Sequence, residues 1–217
     1  MPARETRAEC YSEAKIIERN VKRKNIFQKL SRMLKRFFGR IAKRDKSAIF
    51  YNKLRRYLAP GSKILDIGCG DGSFLKLAKK DFVCAGIEIS DHLASLARKD
   101  PEIKVITGNF ISVDFSKEKY NGITMISLLE HLDDPLAALK ICFEHLNAGG
   151  VLLLKTVNYG CLNRKIKKGR WTGFRPPDHM IYFDPVNLKS ILQKAGFRKI
   201  NISAWSFNDN MYCEAWR

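Results

Sequence analysis

Ten residues, Ile64-Leu65-Asp66-Ile67-Gly68-Cys69-Gly70-Asp71-Gly72-Ser73, constrain the fold of this chain more than any other stretch. A short apolar run ends in an acid. Three glycines follow at alternate positions, and an amphipathic run, Phe74 to Lys80, comes next. The pattern predicts a buried strand, a tight turn and a helix. Glycine lacks a Cβ and tolerates positive φ, so such a turn lets a ligand come against bare backbone. The amides opening the helix favour a polar or anionic ligand group.

Downstream, strands and helices alternate. Strands are expected at Lys63–Ile67, Phe82–Ile89, Lys104–Thr107, Gly122–Leu129 and Val151–Val157. Helices are expected over 73–80, Asp91–Lys99 after a Ser90 cap, from Asp134-Pro135 to near Leu146, and over 185–195 after Asp184. Phe197–Trp205 and Met211–Trp216 read as a final antiparallel pair joined by Asn208-Asp209-Asn210. Near-continuous apolar strands separated by helices imply an α/β protein with a parallel sheet covered on both faces.

Open α/β sheets bind ligands at the carboxyl ends of their strands. Four such ends carry chemistry here: Asp66 with Gly68, Gly70 and Gly72; Glu88, placed to accept from two ribose hydroxyls; Asn109-Phe110, an amide and a ring suited to a purine; and Leu129-Glu130-His131. The turn is GxGxG preceded by an acid, not the GxGxxG of dinucleotide sites. The charge of Asp66 would oppose a pyrophosphate and suits an amine-bearing ligand. Adenosine with an amino-acid tail, as in S-adenosylmethionine, meets these demands.

On these residues the segment 62–205 resembles a class I S-adenosylmethionine-dependent methyltransferase. Ile64–Gly72 resembles the family's first motif, and Gly86-Ile87-Glu88-Ile89-Ser90 its ribose-binding strand end. Met125–Pro135, Thr156-Val157-Asn158, His179–Phe183 and Ala195-Gly196-Phe197 are most similar to the small-molecule O-methyltransferase group that includes ubiquinone-biosynthesis enzymes. The resemblance implies a Rossmann-like, doubly wound, mostly parallel seven-stranded sheet with an antiparallel last strand. It also implies Gly68, Gly70 and Glu88 on the cofactor and Asn109-Phe110 beside adenine; Asp66, Cys69, Gly72, Ile89 and Leu128 complete the expected cofactor shell. His131 and His179 are the candidate bases, His131 with the alternative of a structural histidine bonded to backbone. No metal is expected. Two departures stand out: Tyr120-Asn121-Gly122, where the group usually has Phe-Asp and a β-branched residue, and Asn109, where Asp is commoner.

Charge is distributed unevenly. Residues 1–60 hold 18 Lys/Arg against 5 Asp/Glu, residues 61–160 hold 11 against 13, and residues 161–175 hold six basic residues and no acid. Residues 1–60 are expected to form a basic, amphipathic helical extension, and 61–217 the methyltransferase domain. In 26–44 apolar residues recur at helical spacing among lysines and arginines. Three readings stay open for it: a lid helix, an interfacial helix on an anionic membrane surface, and a nucleic-acid arm, which ranks below the others. Arg164, Lys168, Arg170, Trp171 and Arg175 are candidates to bind a phosphate, pyrophosphate or carboxylate on the acceptor, the alternative being a solvated loop. The acceptor is expected to be a small molecule, lipid-linked, phosphorylated or glycan in character. RNA methylation and a non-catalytic binding module are the competing readings. Six cysteines without a CxxC pair suggest reduced core thiols and a cytoplasmic location, with peripheral contact to the inner membrane face as a further expectation.

Overall fold

Apolar strands without polar alternation need cover on both faces, and each finds it. The computed structural model describes residues 46–113 and 118–217. Seven strands, β1 (Lys63–Ile67), β2 (Val83–Glu88), β3 (Ile103–Thr107), β4 (Tyr120–Ile126), β5 (Leu146–Val157), β6 (Lys199–Ala204) and β7 (Asn210–Trp216), form one sheet in the order β3-β2-β1-β4-β5-β7-β6. β1 pairs in parallel with β2 and β4, whereas β7 runs antiparallel to both β5 and β6. This is the expected Rossmann-like sheet with its antiparallel last strand. The winding direction reverses between β1 and β4, so a crevice opens at their carboxyl ends.

The helices are α1 (residues 46–57), α2 (Ser73–Ala78), α3 (Asp91–Ala97), α4 (Pro135–His145), α5 (Leu162–Lys167) and α6 (Pro185–Lys194). Their starts are set by local chemistry. Ser90 accepts the Leu93 N–H at the head of α3, and Asp134 accepts the Ala137 N–H ahead of Pro135. Asp184 and Asn187 form a reciprocal capping box before Pro185. Side chains alternate across each strand. On β5, Val151 and Leu153 pack with Phe50, Leu54, Phe74, Leu75, Ala94 and Ala97 from α1, α2 and α3. Leu152 and Leu154 pack on the other face with Leu139, Cys142, Leu188 and Leu192 from α4 and α6. Each such fully buried aliphatic side chain contributes roughly 1.5–3 kcal/mol.

Among the details that differ from the sequence expectation, three bear on the architecture. First, β4 ends at Ile126 instead of Leu129, because Ser127 takes a left-handed φ of 57° and Leu129–His131 coil into a 3-10 turn. Second, the chain divides into Met1–Lys46 and Ser47–Arg217. Residues 47–57 of α1 therefore belong with the sheet, with Phe50 and Leu54 buried against it. Third, Gly122 has a packing reason: a Cβ there would meet Leu58 Cδ1 at 2.9 Å and Leu54 Cδ2 at 3.0 Å. A β-branched residue would push α1 off β4. The expected amphipathic segment 26–44 lies outside the described residues. Among the described residues no helix is long and apolar enough to cross a membrane. Their five cysteines, 69, 84, 142, 161 and 213, are all buried and free.

Candidate cofactor site and its covering segment

The glycine turn leaves β1 with Gly68, Gly70 and Gly72 at φ 76°, 57° and 73°. Such conformations cost L side chains roughly 1–2 kcal/mol each. The turn is pinned to β2: Gly68 N–H and Cys69 N–H donate to the Ile87 carbonyl at 2.8 and 3.2 Å. Gly70 N–H donates to Glu88 Oε2 at 2.9 Å, and Ser90 N–H donates to Glu88 Oε1 at 2.9 Å. The Glu88 carboxylate is thus held rigidly at the strand end, 7% exposed, with lone pairs left for further donors.

Beside it opens a cavity of about 290 Å³. Gly68, Glu88, Ile89, Asn109, Phe110, Leu128 and His131 line it, and the sequence singles out all seven. Ile67, Ile87, Gly108, Ile111, Leu132 and Asp133 complete the wall. Sequence reasoning misses these, although each flanks a residue chosen for its chemistry, and strand ends present their neighbours together with the key residue. A mostly apolar slot with one fixed carboxylate suits a nucleoside. A Cβ placed on Gly70 meets no atom within 4 Å, so the bare turn also has room for a ligand against its backbone. The residues present therefore fit S-adenosylmethionine.

Four expected cofactor residues do not line the cavity. Gly72 packs against Ala97 of α3, where a Cβ on Gly72 would stand 3.0 Å from the Ala97 Cβ. Cys69 is buried, and burial pushes its thiol up to about 12. Gly70 acts through its N–H on Glu88. Asp66, 3% exposed, lies beneath the turn and accepts the Thr124 Oγ1 hydroxyl at 2.6 Å, linking β1 to β4. Burial raises its carboxyl to about 7; the Thr124 bond works against that rise and the nearby Glu88 charge adds to it. Asp66 thus has a structural role, joining β1 to β4 beneath the turn. Asn109 spends its side-chain oxygen on the Ile111 N–H at 3.1 Å, which shapes the loop after β3.

The connection after β5 folds back over the cavity's edge. Met180 N–H and Ile181 N–H donate to the Glu130 carbonyl at 2.9 and 3.3 Å. His131 Nδ1 sits 2.6 Å from the Asp178 carbonyl, and His179 Nδ1 sits 2.8 Å from the Gly173 carbonyl. A carbonyl only accepts, so both Nδ1 atoms carry a proton, which leaves Nε2 as the acceptor in the neutral form of each ring. The rings stand edge to face at 4.8 Å. His131 is exposed at the cavity and His179 is buried. Glu130 is buried and accepts the Thr156 hydroxyl at 2.8 Å. One polar atom each from Glu130, His131 and His179 lie within 4.8 Å of one another, a donor set that a metal ion could use.

None of the five expected acceptor-binding residues lines the cavity. Trp171 is 2% exposed, packs with Tyr159, Phe174 and Tyr182, and donates its Nε1 hydrogen to Asp209 at 2.9 Å. The sequence groups it with the acceptor-binding cations, but it is the centre of a small core. Arg164 lies over the Tyr159 ring, its Cζ 4.1 Å from the centroid, and donates to the Tyr159 carbonyl. Lys168, Arg170 and Arg175 are exposed.

The fold and this cavity define a class I S-adenosylmethionine-dependent methyltransferase. A family model described as a methyltransferase domain matches residues 23–202, and the chain belongs to that family. Ubiquinone biosynthesis O-methyltransferases from Coxiella burnetii and Actinobacillus pleuropneumoniae serotype 7 are 31% and 33% identical to it over 104 and 109 residues. The matches cover 45% of this chain and 44% and 47% of those proteins, so the chain spans less than half the length of these relatives. Among solved structures, magnesium protoporphyrin IX methyltransferase from Synechocystis, with bound SAH, superposes with a TM-score of 0.65 at 18% identity, covering 82% of this chain and 84% of that one. A methyltransferase from Thermotoga maritima superposes with a TM-score of 0.60 at 18% identity, covering 81% and 95%.

Proposed function

We propose that the protein transfers a methyl group to a hydroxyl oxygen of a small acceptor, lipid-linked, phosphorylated or glycan in character, with His131 as the general base. The observation that carries this reading is the fixed tautomer of His131: Nδ1 is occupied by the Asp178 carbonyl at 2.6 Å, and the ring stands in the cavity wall. S-adenosylmethionine supplies an electrophilic methyl on a sulfonium that leaves as a neutral thioether. Glu88 would hold the ribose hydroxyls and the glycine turn the amino-acid end. The protein's main task is then alignment, which alone removes much of the barrier. A hydroxyl must also lose its proton as the carbon–oxygen bond forms, and His131 Nε2 can take it. The O-methylating relatives support an oxygen acceptor.

The test is methyl incorporation from labelled S-adenosylmethionine into lipid, glycan and small-phenol fractions, with wild type and His131→Gln. Label in an alkali-stable ether and a kcat about 10²–10⁴-fold lower in the variant, with unchanged cofactor Kd, support the reading. Label on nitrogen, or a variant as active as wild type, overturns it.

A further inference from the structure

We propose that the outward face of α5 and the adjoining loop 205–207 form a docking surface for an anionic lipid bilayer. Four large apolar side chains face solvent here: Trp205 is 74% exposed, Phe207 69%, Ile166 69% and Leu162 37%. They form one patch, because Leu162 N–H donates to the Ser206 carbonyl at 2.7 Å and Asn163 Nδ2 donates to the Phe207 carbonyl at 2.8 Å. Leu162 and Ile166 are one turn apart on the same face of α5. Exposed apolar side chains gathered in one place mark an interaction surface.

The surrounding charge selects the partner. Lys165, Lys167, Lys168 and Arg170 are exposed on or just after α5, and no Asp or Glu occurs between residues 161 and 177. Asp209, just after the loop 205–207, has both oxygens turned to the Trp171 core, where they accept from Trp171 Nε1 and Thr172 Oγ1. Apolar side chains ringed by an excess of cations match the acyl boundary and headgroups of an anionic membrane. Nucleic acid fits less well: phosphates satisfy the lysines and bases could stack on Trp205 or Phe207, but neither uses Ile166 or Leu162. The patch is built rigidly. Behind it stands the Trp171 core, with Cys161 and Trp171 both bonded to Asp209. The same connection carries Asp178 to His131, so docking would tie the cover of the cavity to the lipid surface. The proposal does not depend on the acceptor, and its readout requires no turnover.

The test is co-sedimentation of the full chain with vesicles of phosphatidylcholine alone and of phosphatidylcholine with phosphatidylglycerol. Variants are Trp205→Ser/Phe207→Ser and Lys167→Gln/Lys168→Gln; all four positions are exposed, and thermal melts check that folding is kept. Residues 26–44 stay intact throughout. The proposal expects binding to the anionic vesicles only. It expects a partition coefficient at least about tenfold lower for the aromatic double variant. The lysine variant should fall about thirtyfold, with wild-type binding weakening as salt rises. Equal binding to neutral vesicles, no binding at all, or full binding by the aromatic variant overturns the proposal. So does retention of RNA that falls in the lysine variant while vesicle binding does not, which would assign the surface to nucleic acid.

Discussion

Asp66→Asn should change how the stability of this protein depends on pH. In the native state the Asp66 carboxyl is buried and keeps its proton up to about pH 7, against an ordinary value of 3.8. The unfolded chain gives that proton up near 3.8, so between about pH 4 and 7 the native state binds more protons than the unfolded state. Stability from this group is therefore highest below pH 4 and falls as pH rises to 7, by about 1.4 kcal/mol per unit. The full window, 7 less 3.8 or 3.2 units, amounts to about 4 kcal/mol. The part between pH 5 and 8 is two units, about 3 kcal/mol. Asn is isosteric and does not titrate. Urea unfolding of wild type and Asp66→Asn at pH 5, 6, 7 and 8 isolates the group, because every other titration cancels in the difference. The variant should gain about 3 kcal/mol relative to wild type on going from pH 5 to 8, whatever its absolute stability. Parallel profiles would refute the reasoning and mean that Asp66 is ionised in the fold at pH 5.

Further outcomes follow from the same contacts. Gly70→Ala should fold with a loss of about 1 kcal/mol from its left-handed backbone, yet lose at least about tenfold in cofactor affinity by calorimetry, since its Cβ meets no protein atom and would stand where a ligand approaches. Trp171→Phe should cost roughly 2 kcal/mol in urea unfolding by leaving Asp209 short of a donor, while acceptor KM stays unchanged; a raised KM with unchanged stability would restore Trp171 as an acceptor contact. Gly122→Val should destabilise the domain by roughly 1–3 kcal/mol in thermal or urea unfolding through the α1 clash.

Much of the fold is legible in the sequence because its signals are local. The glycine turn, the Asp134-Pro135 and Asp184-Pro185 caps and the apolar strands each announce themselves within a few residues. The cofactor side of the site follows, since strand-end position fixes Glu88, Asn109 and Leu128 around one cavity. What stays hidden depends on distant partners. Asp66 looks like a ligand acid until Thr124, 58 residues away, is seen to claim it. Trp171 looks like an acceptor contact among cations until Asp209 and three rings are seen to enclose it. The use of Gly122 is set by Leu54 and Leu58 of α1 and the turn after it. The tautomers of His131 and His179 are set by carbonyls of a segment that returns some 40 residues or more after His131.

The central claim is that the rigid Glu88 carboxylate and the bare glycine turn hold S-adenosylmethionine. Isothermal titration of the full chain with S-adenosylmethionine, for wild type and Glu88→Ala, tests it most directly. Two hydrogen bonds from ribose hydroxyls to a charged acceptor are worth roughly 3–6 kcal/mol together after competition with water, on the order of a 10²- to 10⁴-fold change in Kd. Wild type should show saturable one-to-one binding, and the variant a loss of that size. A folded wild type that takes up no S-adenosylmethionine, or a Glu88→Ala variant that binds it as tightly, would contradict the claim.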